Sequence, residues 1–257
     1  MSEKLSKVGV VILAAGKGTR MKSNKLKVMH DLKGTPLIDH VVRCVESLKL
    51  EKKPVVVVCS DDPSVEEYLK DRAEYVVQKE QLGTGHAVTV AEEKINGFAN
   101  DVVVLYGDMP FITPESIEEL VETHRGRHNV LTLMTVTVPD FEDWRAQFYD
   151  FGRIKRNPET GHVVGIVEKK DATPEELEIK ELNTSFLCFE AEWLWKNLKD
   201  LKNENAQKEY YLTDLVKAAF LRGDKISSIT IETHEALGIN TKEHLEVAET
   251  LPVINSI

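Results

Sequence analysis

The chain contains few cysteines and no long apolar stretch, and each shortage excludes a class of protein. Its 257 residues include 3 Cys, an odd number, with no Cys-x-x-Cys spacing. Neither a disulfide framework nor a thiolate metal site is therefore indicated, and buried thiols in a reducing compartment are expected. No run of about 18 apolar residues is present to span a bilayer. The sequence predicts a cytoplasmic protein without a membrane segment.

Positive charge is also in short supply, because 33 Lys and Arg stand against 43 Asp and Glu and the net charge is −10. This balance argues against binding to nucleic acid or to an anionic membrane. Any site for a phosphorylated ligand must then be a local basic pocket, and the ligand is expected to be small. An apolar fraction of 42% in a chain of this length is enough for one large α/β core with a subsidiary lobe.

The most informative segment that the chain does contain is an apolar strand followed by a cationic glycine turn. Residues 10–15 are continuously apolar, which is typical of a strand buried on both faces. Gly16 and Gly18 then allow backbone N–H groups to approach a ligand, and Lys17 and Arg20 add positive charge. The turn is a candidate phosphate site, although an ordinary strand-ending turn with solvated charges would have the same composition.

Two common phosphate motifs do not match this turn. A dinucleotide fingerprint requires a third Gly or Ala where Met21 stands. A Walker A loop requires Lys directly after the second glycine, where this chain has Thr19. The turn therefore belongs to neither class.

Apolar strands and amphipathic helices alternate along the chain, which predicts a mostly parallel sheet flanked by helices. Strands are predicted at residues 10–15, 55–59, 75–77, 101–105, 130–138, 152–156, 163–168, 182–190 and 226–231. Helices are predicted after a Thr35-Pro36 cap, at 63–70, after His86, at 113–127, 193–201 and 211–222, and after Thr241. Asp108 follows a strand and so lies at the carboxyl edge of the sheet, where open α/β sheets bind ligands.

Five segments, taken together and in order, resemble the sugar nucleotidyltransferases, and most closely the uridylyltransferase domain of bacterial N-acetylglucosamine-1-phosphate uridylyltransferases. They are residues 13–21, 27–30, 78–87, 106–108 and 209–214, and shorter matches occur at 151–154, 165–172, 183–184 and 238–240. Each segment alone is weak evidence, whereas their ordered occurrence over nearly the whole chain is specific.

This resemblance implies a single domain with the nucleotide-diphospho-sugar transferase fold, an α/β fold with a Rossmann-like, mostly parallel mixed sheet flanked by helices. About residues 1–138 would form the nucleotide-binding half and about 139–240 a small sugar-acceptor lobe. About residues 241–257 would form a C-terminal helix and tail.

The resemblance also implies a reaction, in which a sugar-1-phosphate oxygen attacks the α-phosphorus of UTP in line and pyrophosphate leaves. The expected activity is Mg²⁺-dependent formation of UDP-N-acetylglucosamine from UTP and N-acetylglucosamine-1-phosphate. One alternative is uridylyl or thymidylyl transfer to another hexose-1-phosphate. The other is a sugar-nucleotide sensor on the same fold without catalysis.

Residue roles carry over from the family by position. The catalytic residues would be Arg20, Lys27 and Asp108, and Mg²⁺ would be held by Asp108 and Asn240. The nucleotide-binding residues would be Leu13, Ala14, Ala15, Gly16, Gly18, Lys27, Gln78, Gln81, Gly83 and Thr84. The sugar-binding residues would be Tyr106, Gly107, Gly152, Glu168, Asn183, Glu209 and Tyr211.

Several of these residues also have a purely structural interpretation. Asp108 could stabilise a turn, Glu168 could be a surface charge, Asn183 could begin a strand, and Asn240 could belong to a helix cap. Their presence together in one chain favours the functional interpretation.

Three departures from the family pattern are present. Leu26 replaces the proline before the phosphate-binding lysine, and Ser185 replaces a glycine after the Asn-Thr pair. Ser185 adds bulk beside Asn183, so a change in the accepted sugar is expected. The bifunctional relatives continue into a β-helix that carries an acetyltransferase and forms trimers, whereas this sequence stops at Ile257. No acetyltransferase activity is expected, and the oligomeric state stays open.

Overall fold

The chain folds into a mixed β-sheet flanked by helices. The computed structural model describes residues 3–16 and 18–251. The strands are β1 (Val8–Leu13), β2 (Asp31–Leu32), β3 (Thr35–Pro36), β4 (Val55–Cys59), β5 (Glu74–Gln78), β6 (Asp101–Tyr106), β7 (Leu131–Thr137), β8 (Arg153–Arg156), β9 (Val163–Val167), β10 (Glu181–Glu190) and β11 (Ile226–Thr230). The helices are α1 (Leu37–Ser47), α2 (Ser64–Leu69), α3 (Thr84–Ile95), α4 (Pro114–Gly126), α5 (Pro174–Leu177), α6 (Ala191–Leu198), α7 (Asp214–Arg222) and α8 (Lys242–Glu249).

The main sheet has the strand order β11-β7-β10-β6-β1-β4-β5 in the described part of the chain. β1 pairs in parallel with β4 and β6, β4 with β5, and β11 with β7. β10 runs antiparallel to both of its neighbours, β6 and β7. β8 and β9 form a hairpin that joins β10 through the pairing of Arg153 with Leu182. The predicted mostly parallel mixed sheet is confirmed.

The central strands are continuous apolar runs because both faces of the sheet are covered. All six residues of β1 and all five residues of β4 are buried. Gly9 in β1 brings α3 close, since a Cβ at this position would lie 2.9 Å from Ile95 Cγ2. This close packing fixes α3 on the sheet, and the first turn of α3 borders the candidate site.

The helix caps at Thr113 and Thr241 are present, whereas the cap predicted at Thr35 and Pro36 is not. Thr113 and Thr241 each accept a hydrogen bond from a backbone N–H in the following helix, both at 3.2 Å. The cap predicted at Thr35 and Pro36 is wrong, because these residues pair with β2 as strand β3. α1 begins at Leu37 instead, with Pro36 as its N-cap residue.

α7 begins at Asp214, three residues later than the helical pattern predicts. The backbone of Tyr210 is used elsewhere, since its N–H donates to the Leu82 carbonyl and its carbonyl accepts from the Gly85 N–H, both at 2.8 Å. Tertiary hydrogen bonds therefore override local helix propensity here. No helix among the described residues combines the length and apolar content that a membrane crossing requires.

Candidate active site

The glycine turn follows β1 and lies against Lys27. Gly18 has a φ of 59°, and a Cβ on it would overlap the Lys27 side chain, so glycine permits the approach. Open space surrounds the position of a Cβ on Gly16. Lys17, which was predicted to add charge to this turn, lies outside the described residues.

Four side chains from distant parts of the sequence form one hydrogen-bonded cluster beside this turn. Lys27 Nζ lies 2.5 Å from Asp108 Oδ2 and 2.9 Å from Asn240 Oδ1. Arg20 Nη2 donates to the same Asn240 oxygen at 3.0 Å. The Ile239 N–H donates to the Asp108 carbonyl at 2.9 Å, which holds the C-terminal segment against the sheet edge. The structure thus brings together the residues predicted to be catalytic or to bind metal.

The oxygen atoms of this cluster fit a divalent cation. The Asp108 carboxylate and the Asn240 amide oxygen both contact one ammonium group, that of Lys27, so both are directed at a single positive charge. One carboxylate and one amide are hard oxygen donors of the kind that Mg²⁺ prefers. Among the described residues, no group of three or more His, Cys, Asp or Glu side chains is placed to hold a metal. Phosphate oxygens and water would therefore have to complete the coordination.

A cavity of about 350 Å³, which we call the first cavity, opens beside the cluster and collects most of the predicted nucleotide-binding residues. Its size suits a small-molecule ligand. Gly18 is not part of its lining. The lining residues are Leu13, Ala14, Ala15, Gly16, Lys27, Val28, Gln78, Gln81, Gly83, Thr84, Ala87, Tyr106, Asp108, Glu209 and Asn240.

The loop between β5 and α3 borders the first cavity and is held by residues 209–213, which we call the strap. Two backbone hydrogen bonds join Tyr210 of the strap to Leu82 and Gly85. The Leu212 N–H donates to Thr84 Oγ1 at 3.0 Å. The predicted nucleotide-binding loop is therefore fixed by a segment more than 120 residues away in sequence.

Gly83 allows the strap to lie this close to the loop. Its φ is 107°, and a Cβ on it would lie 2.7 Å from the Tyr210 carbonyl oxygen and 2.9 Å from Glu209 Cβ. A larger residue would have to displace backbone atoms of the strap. The glycine is thus required by contact as well as by backbone conformation.

A second cavity, of about 610 Å³, shares Asn240 with the first. Arg20 and Glu168 both belong to its lining, so it combines a guanidinium cation with a carboxylate. The lining residues are Arg20, Gln147, Asp150, Phe151, Glu168, Lys169, Lys170, Gln207, Gly238, Asn240 and His244.

Glu168 directly follows β9 and presents its carboxylate in this second cavity. Burial raises the pKa of Glu168, the Thr213 hydroxyl that donates to Oε1 at 3.0 Å opposes this rise, and the Asp214 carboxylate adds to it. Gly152 leaves room for the group, because a Cβ there would lie 3.2 Å from Glu168 Oε2. A poorly solvated carboxylate in a cavity is well suited to accept hydrogen bonds from ligand hydroxyls.

Ser185 lies between two of the predicted sugar-binding residues. Its N–H donates to Asn183 Oδ1 at 3.0 Å, and its hydroxyl accepts from Asn183 Nδ2 at 3.4 Å. The nearby Tyr106 has a pKa that is raised by burial and by the Glu168 carboxylate, and Ser185 opposes this rise. Ser185 has a φ of 68° at an irregularity of β10, a conformation that favours glycine.

Four predicted sugar-binding residues lie outside the linings of both cavities as the described residues define them, namely Gly107, Gly152, Asn183 and Tyr211. Gly107 permits close packing, since a Cβ there would lie 2.7 Å from Ile38 Cδ1. Burial, together with the carboxylates of Asp171 and Glu168, raises the pKa of Tyr211 to about 12. Gly107 and Gly152 thus pack closely against neighbouring side chains, including Glu168 of the second cavity.

Several residues that line the cavities were not predicted from the sequence. Lys169 and Lys170 flank Glu168 in the chain and place positive charge in the second cavity, which their position next to a predicted site residue could have indicated. Thr213 lines neither cavity but donates to Glu168, and it received no role although it is part of a matched segment. No sequence pattern pointed to Gln147 or His244. A larger opening of about 750 Å³ lies between the end of α3 and α6 and contains none of the predicted site residues.

The fold is that of the nucleotide-diphospho-sugar transferases. The crystal structure of a UDP-glucose pyrophosphorylase complexed with UDP-glucose superposes with a TM-score of 0.75, covering 95% of this chain and 97% of that chain at 19% sequence identity. The sequence signature of the MobA-like NTP transferase domain matches residues 10–207. The chain belongs to this family and is an NTP transferase domain.

Two curated relatives agree with this assignment. The bifunctional protein GlmU of Streptococcus pyogenes serotype M18 is 40% identical over 242 residues, which is 94% of this chain and 51% of the relative. The bifunctional protein GlmU of Lactobacillus delbrueckii subsp. bulgaricus is 41% identical over 234 residues, which is 91% of this chain and 49% of the relative. The chain therefore spans about half the length of these relatives, and the resemblance found in the sequence is confirmed.

Proposed function

We propose that this chain is a Mg²⁺-dependent uridylyltransferase that forms UDP-N-acetylglucosamine and pyrophosphate from UTP and N-acetylglucosamine-1-phosphate. The observation that carries the proposal is the cluster of Arg20, Lys27, Asp108 and Asn240 where the two cavities meet. Membership of the NTP transferase family supports the reaction type, and similarity to GlmU supports the choice of substrates.

The reaction brings two polyanions together. An oxygen of the sugar-1-phosphate forms a bond to the α-phosphorus while the bond from that phosphorus to the pyrophosphate oxygen breaks. Arg20 offers a planar fork that pairs with two phosphate oxygens, and Lys27 offers a compact charge. Their charges reduce the repulsion between the reactants and stabilise the charge that grows on the leaving oxygen. The attacking phosphate oxygen is already negative at neutral pH, so no general base is required.

Asp108 and Asn240 would hold Mg²⁺ in this proposal. A bound Mg²⁺ supplies Lewis-acid stabilisation to phosphate oxygens. Since Lys27 contacts both of these side chains, the proposal requires its ammonium group to exchange them for phosphate oxygens when a nucleotide binds.

The two cavities suggest a division of the substrates. The first cavity, with the loop around Gln78 and Gly83, would take the nucleoside. The second cavity, with Glu168, would take the sugar, whose hydroxyls donate to the carboxylate. Arg20 and Asn240 line the second cavity and also belong to the cluster. The phosphates of the nucleotide and of the sugar would therefore meet at the cluster.

A pyrophosphate-release assay tests the proposal directly. The purified protein is incubated with Mg²⁺, one of UTP, dTTP, CTP or ATP, and one of a panel of sugar-1-phosphates. We expect the fastest release with UTP and N-acetylglucosamine-1-phosphate. Equal rates with every triphosphate would contradict uridine selection, and faster release with another hexose-1-phosphate would assign a different acceptor. Nucleotide binding without release would favour a sensor.

Two substitutions test the cluster in the same assay. Asp108→Asn and Arg20→Ala should each lower turnover by about 10²-fold or more, because each removes preorganised charge. Asp31→Asn is the matched control, since Asp31 is an exposed carboxylate paired with Lys25 away from the cavities, and it should retain turnover. Near-normal turnover in both cluster variants would refute these roles.

A further inference from the structure

The side-chain amide of Gln78, at the end of β5, is held in one orientation. Its Nε2 lies 3.1 Å from the Gly83 carbonyl oxygen. A carbonyl oxygen only accepts hydrogen bonds, so the nitrogen of the amide must be the atom that faces it. The same Nε2 lies 3.0 Å from His86 Nδ1. Both N–H groups of the amide therefore have protein partners.

The other end of this amide is available to a ligand. Gln78 is only 4% exposed, yet it lines the first cavity. Its Oε1 receives no hydrogen bond from the described residues, and it does not belong to their fully buried, unpartnered polar atoms. An oxygen that is neither paired nor sealed off must face the cavity.

His86 determines this arrangement from the first turn of α3. Nδ1 can accept from Gln78 only when the ring is neutral and carries its hydrogen on Nε2. We infer that His86 is a positioning residue for base selection, which holds the Gln78 amide so that an acceptor oxygen alone is presented to the nucleotide base. This inference deepens the proposed function and rests on it.

An acceptor-only group discriminates between pyrimidines by chemistry. Where Gln78 Oε1 faces N3 of the base, uracil offers an N3–H donor, whereas N3 of cytosine is an acceptor whose lone pair would oppose this oxygen. Without the His86 contact, one N–H of the amide loses its partner, and rotation of the amide would present a donor as well. The selection of uracil over cytosine should then weaken, since a site built for one hydrogen-bonding pattern rejects the other only while its groups are fixed.

Calorimetric titration of UTP and of CTP in the presence of Mg²⁺ tests this inference. His86→Leu should lower the ratio of UTP affinity to CTP affinity about tenfold, the size expected for one hydrogen bond. His86→Asn places an acceptor oxygen near the Nδ1 position and should retain the ratio, whereas His86→Gln places it further out and should lose it. His162→Leu, at an exposed histidine, is the control and should match the wild type.

A double-substitution cycle separates positioning from a general structural role. In a Gln78→Ala background, His86→Leu should cause no further loss of discrimination, because its effect acts through Gln78. Independent, additive losses would overturn the inference, as would full discrimination in His86→Leu. If His86→Leu does not fold, the comparison of His86→Asn with His86→Gln decides in the same way. A wild-type protein that binds UTP and CTP equally would overturn the proposed uridine specificity and this inference with it.

Discussion

Glu168 places a carboxylate where water solvates it poorly, and burial raises its pKa above the ordinary value of 4.5. A carboxyl group with a higher pKa in the folded state binds its proton more tightly there than in the unfolded chain. The free energy of unfolding therefore falls as the pH rises through the window between the ordinary and the raised value. Above that window, the charge on this partly buried group destabilises the fold. The sugar-binding role proposed for Glu168 therefore comes at a cost in stability.

Glu168→Gln should accordingly raise the free energy of unfolding at about pH 8 and raise it less at about pH 4, where the wild-type group is protonated. The same variant should increase the KM for N-acetylglucosamine-1-phosphate by about tenfold, because an amide accepts less strongly than a carboxylate. Urea denaturation at both pH values and steady-state kinetics measure the two effects. Glu159→Gln, at an exposed residue, should change neither.

Ser185 illustrates backbone strain at a single residue. Both Ser185→Gly and Ser185→Ala remove the hydroxyl, but only glycine adopts a φ of 68° without strain. The glycine variant should therefore be more stable than the alanine variant by about 1 kcal/mol. Urea denaturation of the two variants measures this difference. Equal stability would mean that the backbone relaxes at this irregularity of β10.

At the scale of elements, the strap joins the loop before α3 to Glu168, which follows β9. Tyr210 and Leu212 bond to that loop through backbone groups, while the Thr213 hydroxyl donates to Glu168. One segment thus contacts the residues proposed to select the base and the residue proposed to bind the sugar. Its conformation depends on Gly83.

Gly83→Ala and Gly97→Ala form a matched pair that tests this dependence. Both glycines have positive φ, but a Cβ on Gly97 would meet open space and a Cβ on Gly83 would meet the strap. Gly97→Ala should lower stability by about 1 kcal/mol and leave nucleotide affinity unchanged. Gly83→Ala should lower stability further and weaken UTP binding by at least tenfold, as measured by calorimetry. Equal stability and equal UTP affinity of the two variants would mean that the strap does not shape the nucleotide site.

The sequence predicts the helices and strands well where local patterns determine them. The strand at residues 55–59 has the predicted bounds, since a run of valines covered on both faces has no competing structure. The start of α7 was predicted too early because hydrogen bonds between Tyr210 and a loop far away in sequence leave no local trace. The roles of Lys27 and Asn240 came from family resemblance, since residues 213 positions apart carry no periodic signal of their contact. His86 received no role because its contact with Gln78 depends on rotamers that only coordinates reveal.

At the scale of the whole molecule, β10 connects the two parts of the chain. It pairs with β6 and β7, which come before residue 139, and with β8, which comes after it. Arg153 in β8 is fully buried and donates to the Tyr149 carbonyl at 2.9 Å, which ties the preceding loop to the hairpin. The smaller lobe, which in the structure consists of β8, β9 and the loop before them, is therefore built onto β10, a central strand of the sheet.

The lobe and the sheet should for this reason unfold in one cooperative transition. Trp144 lies in the lobe, whereas Trp193 and Trp195 lie on α6, where Trp193 stacks on Phe189 of β10 at 6.4 Å. Trp144→Phe and the double variant Trp193→Phe with Trp195→Phe leave fluorescence reporters in separate regions. We expect the fluorescence of the two variants to report the same urea midpoint. A lower midpoint reported by Trp144 alone would mean that the lobe unfolds independently.

The double attachment of the strap also limits how such a protein can diversify. A substitution in residues 209–213 that adapted the pocket to a different acceptor would also disturb the loop that we propose binds the nucleotide. Divergence toward new sugars is consequently easier at positions that do not contact this loop, such as Ser185 or the residues around Gln147. Laboratory evolution of acceptor preference should begin there, leaving the strap untouched.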